Sequence, residues 1–348
     1  REAADLWSIR SLTCVIGSGS GEMMDLPQRR EEDDGSGSLG ADDGSRYRST
    51  WSITVPPDQR TPELAATIRE TDRARRLLPA EPVKAREILD ALPENPSPLA
   101  STLRGLTGAE IGGLLDDVVT VEMKLKMVLG NLAQLPPSFR RQTADTALMI
   151  AMTFGAVDAA GAAAQELVRF ARGLEEVLGT PEARRGLSVA WNNLGRVAWA
   201  RGDSATAAAA YQESLAIRKE LERSLGTPES RRDLSVAWNS VGRAARARGD
   251  WDAAEDAYRE SLVLARGLEE VLGTPESRRD LSISLDNVGQ VAEVRGHWDA
   301  AEKAYLESLE IRRELENLLG TPQAQQDVST SQENLKRLSQ KRADLGEL

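Results

Sequence analysis

Between Leu221 and Glu314 the pattern of apolar and polar positions is written twice. Residues 221–267 and 268–314 are identical at 29 of 47 aligned positions. Within one copy Leu234, Trp238, Val241 and Ala244/Ala245 recur at steps of three and four, and so do Trp251, Ala254, Tyr258, Leu262, Ala265, Leu268 and Leu272. That period places each set on one face of an amphipathic helix. Between the two sets stands Gly249-Asp250, a glycine closing one helix and an aspartate capping the next. Gly226 and Gly273, with Gly179 and Gly320 as equivalents, suit the left-handed residue just past a helix end. Thr227-Pro228 then restarts the chain, threonine as cap and proline where its missing N–H is not needed. Two helices of about 20 residues each, with tight turns, account for the period.

Counting in steps of 47 extends the array in both directions. A degenerate copy covers 139–180, full copies run over about 181–226, 228–273 and 275–320, and a half-copy covers 322–345. One such hairpin cannot bury its apolar stripes alone, so neighbours must stack. The half-copy keeps Val328, Leu335, Leu338 and Leu345 in otherwise polar surroundings, as a terminal cap requires.

Upstream the pattern is less regular. Thr61-Pro62 starts a helix with Leu64, Ile68 and Leu77/Leu78 inward, and 81–92 makes a short one with Val83, Ile88, Leu89 and Leu92. The capping-box spacing at Thr107–Glu110 predicts one long helix to about Leu135, its stripe interrupted only at Glu122. Met123 and Met127 flank that stripe and read as core gap-fillers. Residues 51–55 alternate like a strand with no partner in view, ended by Pro56-Pro57. Residues 17–44 are dominated by Gly, Ser, Asp and Glu and read as disordered. Their glycine run lacks the Lys-Ser/Thr ending of a phosphate loop, and Glu22 stands where a dinucleotide fingerprint needs its third glycine. The organisation expected is a largely disordered 1–57, a helical region at 58–138 and a solenoid at 139–348.

Composition narrows the chemistry. The 348 residues carry a net charge of −11, which opposes general nucleic-acid binding. Cys14 and His297 are the sole cysteine and histidine, so neither an internal disulfide nor a Cys/His metal cluster can be built. No cofactor or metal is expected, and a His-dependent nucleophile would have to use a turn residue. Adjacent carboxylates such as Asp116/Asp117 diverge on a helix and do not face one substrate. No apolar run reaches the ~20 residues of a membrane span. The expectation is a cytoplasmic, non-catalytic protein. Arg201-Gly202-Asp203 and Arg248-Gly249-Asp250 spell an adhesion tripeptide, but their spacing marks them as inter-helix turns. The pairs Arg184/Arg185, Arg231/Arg232 and Arg278/Arg279 are expected to be solvated or paired with Glu182, Glu229 and Glu276.

Trp191, Leu194-Gly195, Ala207 and Tyr211 resemble the tetratricopeptide repeat, followed by Trp238, Val241-Gly242, Ala254, Tyr258 and by Leu285, Val288-Gly289, Ala301, Tyr305. The period of 47 and the absence of the usual late proline resemble the extended form of kinesin light chains and bacterial regulators. The resemblance implies an all-α fold, a right-handed α-solenoid of antiparallel helix hairpins, with a concave face that holds a protein or peptide partner. Carried over by position, the groove residues are Asn192, Asn193 and Arg196; Asn239, Ser240, Arg243 and Arg246; and Asp286, Asn287 and Gln290. Asparagine is a poor helix former, so its recurrence in mid-helix asks for a reason, either a ligand or hydrogen bonding between repeats. A second implied reading is the sensor arm of a larger signalling ATPase or caspase-like protease, for which the start at Arg1 leaves room.

Overall fold

The computed structural model describes residues 8–9, 53–54, 61–93 and 97–345. Two compact units are distinguished: Arg1–Gly173 with Ala200–Gly202, and Leu174–Trp199 with Asp203–Leu348. The expected disorder of 17–44 lies outside the described residues.

The first unit holds β1 (Ser8–Ile9), β2 (Ile53–Thr54), α1 (Pro62–Arg76), α2 (Pro82–Asp90), α3 (Pro98–Leu114), α4 (Val118–Gly130), α5 (Pro137–Thr153) and the start of α6 (Val157–Leu178). β2 does not stand alone: it pairs antiparallel with β1, Ser8 opposite Thr54 and Ile9 opposite Ile53. Thr61 caps α1 as its Thr-Pro spacing predicts, accepting from the Leu64 amide at 3.2 Å. Ala74, Ala85, Leu89 and Ile111 form a buried cluster among α1, α2 and α3. Val83 is 59% exposed, away from that core.

The single helix expected from Thr107 to Leu135 is two helices. α3 already starts at Pro98, which leaves Thr107 buried in its interior. The chain breaks where Asp116 takes a left-handed φ of 56° and Asp117 caps α4, accepting from the Thr120 amide at 3.0 Å. Glu122 interrupts the apolar stripe for a reason: its two carboxylate oxygens accept the first amides of α6, Asp158 and Ala159, each at 2.9 Å. A carboxylate there also complements the helix dipole. Met123 and Met127 are 51% and 54% exposed, so they fill no core gap.

The second unit contains α7 (Pro181–Ala200), α8 (Ser204–Leu225), α9 (Pro228–Ala247), α10 (Trp251–Leu272), α11 (Pro275–Val294), α12 (Trp298–Leu319) and α13 (Pro322–Asp344). Its punctuation follows the sequence. Gly226, Gly273 and Gly320 have φ of 60°, 56° and 60° and close α8, α10 and α12. Thr227, Thr274 and Thr321 then accept the amides of Ser230, Ser277 and Ala324, each at 3.2 Å. Asp203 and Asp250 cap α8 and α10, whereas His297 at the same position of α12 makes no side-chain cap.

Packing inside each hairpin rests on a tyrosine laid over a glycine. A Cβ on Gly195, Gly242 or Gly289 would lie 2.5, 2.5 or 2.6 Å from the ring of Tyr211, Tyr258 or Tyr305. The glycine therefore admits the ring, and the three rings are buried. Each such burial contributes about 2–3 kcal/mol. Beside the rings runs a hydroxyl seam: Ser214, Ser261 and Ser308 donate to the carbonyls of Ser188, Ser235 and Ser282 at 2.9, 3.1 and 3.1 Å. Leu268 is buried as predicted, but Leu272 and Leu345 are exposed.

Candidate partner-binding face

The residues singled out by position lie on the first helix of each hairpin, α7, α9 and α11, in columns 47 residues apart. Being helical, positions three and four apart share a face, so Val189, Asn192, Asn193 and Arg196 neighbour one another on α7. Val236, Asn239, Ser240 and Arg243 repeat that set on α9.

The structure brings most of these polar groups together with each other. Ser240 Oγ donates to Asn192 Oδ1 at 3.0 Å, and Asn287 Nδ2 donates to Asn239 Oδ1 at 3.1 Å. Arg246 donates to Gln290 Oε1. Each bond joins one hairpin to the next, and Asn192, Asn239 and Asn287 thus take part in hydrogen bonding between repeats. Asp286 turns instead to Arg312 of α12 at 2.7 Å, both nearly buried. Burial pushes the Asp286 carboxyl up, and Arg312 acts against it. Arg243 lies 3.5 Å from Ser240 Oγ, and Asn193 has no side-chain partner among the described residues.

Around this ladder the surface is apolar as well as polar. Val189 and Val236 are exposed one turn before Asn192 and Asn239, with Ile283 half-buried in the equivalent place. Their recurrence at 47-residue spacing was a signal available in the sequence.

A second ladder ties the first helices by charge. Arg185, Arg232 and Arg279 reach Asp233, Asp280 and Asp327 of the next hairpin at 2.5, 2.5 and 3.1 Å. Hydrogen bonding to Asp233 and Asp280 raises the guanidinium of Arg185 and Arg232. The preceding arginines face backwards: Arg184 pairs with Glu175, Arg231 with Glu222 and Arg278 with Glu269. Glu182, Glu229 and Glu276 are therefore not the partners that sequence proximity suggested.

The third interface, between α11 and α13, carries a carboxylate. Glu293 accepts from Arg337 at 3.1 and 3.0 Å, from Lys341 at 2.7 Å and from Tyr305 at 2.8 Å. Burial alone would raise Glu293, but the hydrogen bonds from Arg337, Lys341 and Tyr305 outweigh it and hold the group at about 2. Burial and the Glu293 charge together raise the Tyr305 hydroxyl. Among the described residues no group of three or more His, Cys, Asp or Glu is arranged to hold a metal ion, and no helix is long and apolar enough to cross a membrane.

Two stretches match models of the tetratricopeptide repeat, residues 190–222 and residues 237–272. No curated protein matches the sequence significantly. Among solved structures, BtubC (BKLC) from P. vanneervenii is 19% identical, over 74% of this chain and 93% of its own, with a TM-score of 0.44. The apo form of RapI is 12% identical, over 81% and 71%, with a TM-score of 0.48. A signal transduction ATPase with numerous domains and a tetratricopeptide repeat sensor, from Pyrococcus horikoshii, is 13% identical over 83% of this chain and 44% of its own, with a TM-score of 0.41. The first matched stretch spans the Trp191–Gly195 and Ala207–Tyr211 motifs, and the second spans Trp238–Gly242 and Ala254–Tyr258. The chain thus carries tetratricopeptide repeats, one across α7 and α8 and one across α9 and α10.

Proposed function

We propose that the chain is a non-catalytic scaffold whose repeats hold a peptide or protein segment on the face made by α7, α9 and α11. The observation that carries this is the recurrence, at one 47-residue spacing, of an exposed valine beside polar and cationic side chains. An extended peptide needs such a mixture, apolar contact for affinity and a few polar groups to fix its register.

The hydrogen-bonded rungs shift the roles among the sequence-derived residues. Asn192, Asn239, Ser240 and Asn287 hold the face in shape, as do Arg246 and Gln290. Val189, Val236 and Asn193 are the groups we assign to the partner. Affinity capture with the full chain, after crosslinking in its native cell, tests this directly. Val189→Asp with Val236→Asp should lose the partner while the melting temperature stays within a few degrees. Recovery equal to that of the unchanged chain would sink the reading.

The same face serves equally in a sensor arm of a larger signalling protein, with a cytoplasmic location. The gene sequence upstream of the Arg1 codon decides it, since an in-frame ATPase or protease domain is required.

A further inference from the structure

A different edge of the second unit carries its own pattern. Leu178, Leu225, Leu272 and Leu319 each precede a left-handed glycine, and all four are between 42% and 53% exposed. Val177, Val271 and Leu318 stand exposed beside them. A leucine at a helix end is often exposed singly; here four recur at one 47-residue spacing. None of these residues belongs to the face assigned above, which lies on the first helices.

Two further features say what covers this edge. The first is a cavity of about 180 Å³ set into it, walled by Pro181, Leu221 and Leu225. It is also lined by buried Arg218, whose guanidinium donates to Ser188 Oγ at 3.2 Å and to the Asp233 carbonyl at 2.8 Å. Glu182, Glu229 and the Arg185–Asp233 ion pair also line it. The second is charge. Glu182, Glu229 and Glu276 recur along the edge, exposed and without an ion pair among the described residues; Glu229 acts on Arg185, and Glu276 on Arg232, through space. Arg184, Arg231 and Arg278 nearby pair with Glu175, Glu222 and Glu269, Arg185 in the cavity lining pairs with Asp233, and Arg223 is exposed in the last turn of α8. The edge thus sets exposed leucines beside glutamates that have no ion pair among the described residues.

We propose that this edge is a second docking surface, for a basic amphipathic segment of a partner protein. An apolar side chain of that segment enters the cavity between Leu221 and Leu225, and its lysines or arginines meet Glu182, Glu229 and Glu276. A helix laid with its apolar stripe inward satisfies both requirements. A second copy of this chain fits worse, because it would bring one row of glutamates against another. An anionic lipid surface is repelled for the same reason.

The test titrates the full chain with a labelled synthetic helix bearing leucine on one face and lysine on the other, and with its leucine/glutamate counterpart. The lysine helix should bind, and weaken about tenfold or more as salt screens the rim. The glutamate helix should not bind. Glu229→Lys with Glu276→Lys, and separately Leu225→Ser with Leu272→Ser, should each cut affinity by about tenfold. Val189→Asp with Val236→Asp should leave it unchanged, which separates this surface from the groove of the first helices. All these positions are exposed, and Glu229→Gln with Glu276→Gln gives a milder pair should a charge reversal fail to fold. Equal affinity across the edge variants, equal binding of both helices, or self-association of the chain that Leu225→Ser abolishes would each overturn the proposal.

Discussion

At the scale of single residues, identical amino acids have opposite roles a few positions apart. Gly195 and Gly186 both sit within α7. A Cβ at Gly195 would meet the Tyr211 ring at 2.5 Å, whereas one at Gly186 meets nothing within 4 Å. Gly195→Ala should therefore cost about 1–3 kcal/mol through displacement of the ring. Gly186→Ala should gain about 0.5–1 kcal/mol by restricting the unfolded chain in a helical position. Urea denaturation of the two variants checks both signs, and two changes of the same sign would contradict the packing account. His297 offers a second contrast. Asp203 and Asp250 accept the amides of Thr206 and Ala253 at 3.0 and 3.2 Å, and His297 replaces them at α12 without accepting one. His297→Asp should stabilise by about 1 kcal/mol, read as a rise in melting temperature. These residue-scale differences were half legible beforehand. The motif spacing marked Gly195 and the turn marked His297, but only the ring positions separate one glycine from another.

At the scale of elements, helices are joined through polar ladders more than the apolar pattern suggested. The exposed arginine–aspartate rungs are each worth at most about 1 kcal/mol, because water screens them. The Glu293 clamp on α13 is different, since the carboxylate is buried and has three donors. Its folded value of about 2 lies below the ordinary 4.5, so it stabilises the fold above pH 4.5 and loses that contribution as pH falls toward 2. Glu293→Gln should lower stability at pH 7 by about 1–3 kcal/mol. The gap between variant and parent should close as pH falls from 4.5 to 2, and a gap that stays constant in chemical denaturation over that range would rule the clamp out. The sequence did not reveal this element. Its partners stand 44 and 48 residues away on α13, and position 293 is tryptophan or arginine in the earlier copies.

At the scale of the whole molecule, the repeats of the second unit depend on their neighbours. Leu338 of α13 covers a cluster of Ala292, Ala301 and Tyr305, and a chain ending at Gly320 would leave that cluster facing water. Stacked repeats without a polar end cap associate through the exposed face. Truncation after Gly320 should therefore yield oligomers by light scattering at a concentration where the full chain does not form them. Added Leu338→Ala in the full chain should destabilise by about 2–4 kcal/mol without comparable association.

What the amino-acid order determined by itself is whatever local chemistry decides. Helix starts at Thr-Pro, helix ends at left-handed glycines and the 47-residue unit all follow from capping, φ preference and periodicity within a few residues. Only the tertiary structure decided which polar groups face one another. Asn239 and Asn287 bond across 48 positions, Glu122 caps a helix 36 residues on, and Leu272 with Met123 and Met127 stays in water despite an apolar pattern. Amphipathic spacing states which side of a helix is apolar, but whether another helix arrives to cover each turn of it depends on the fold around it.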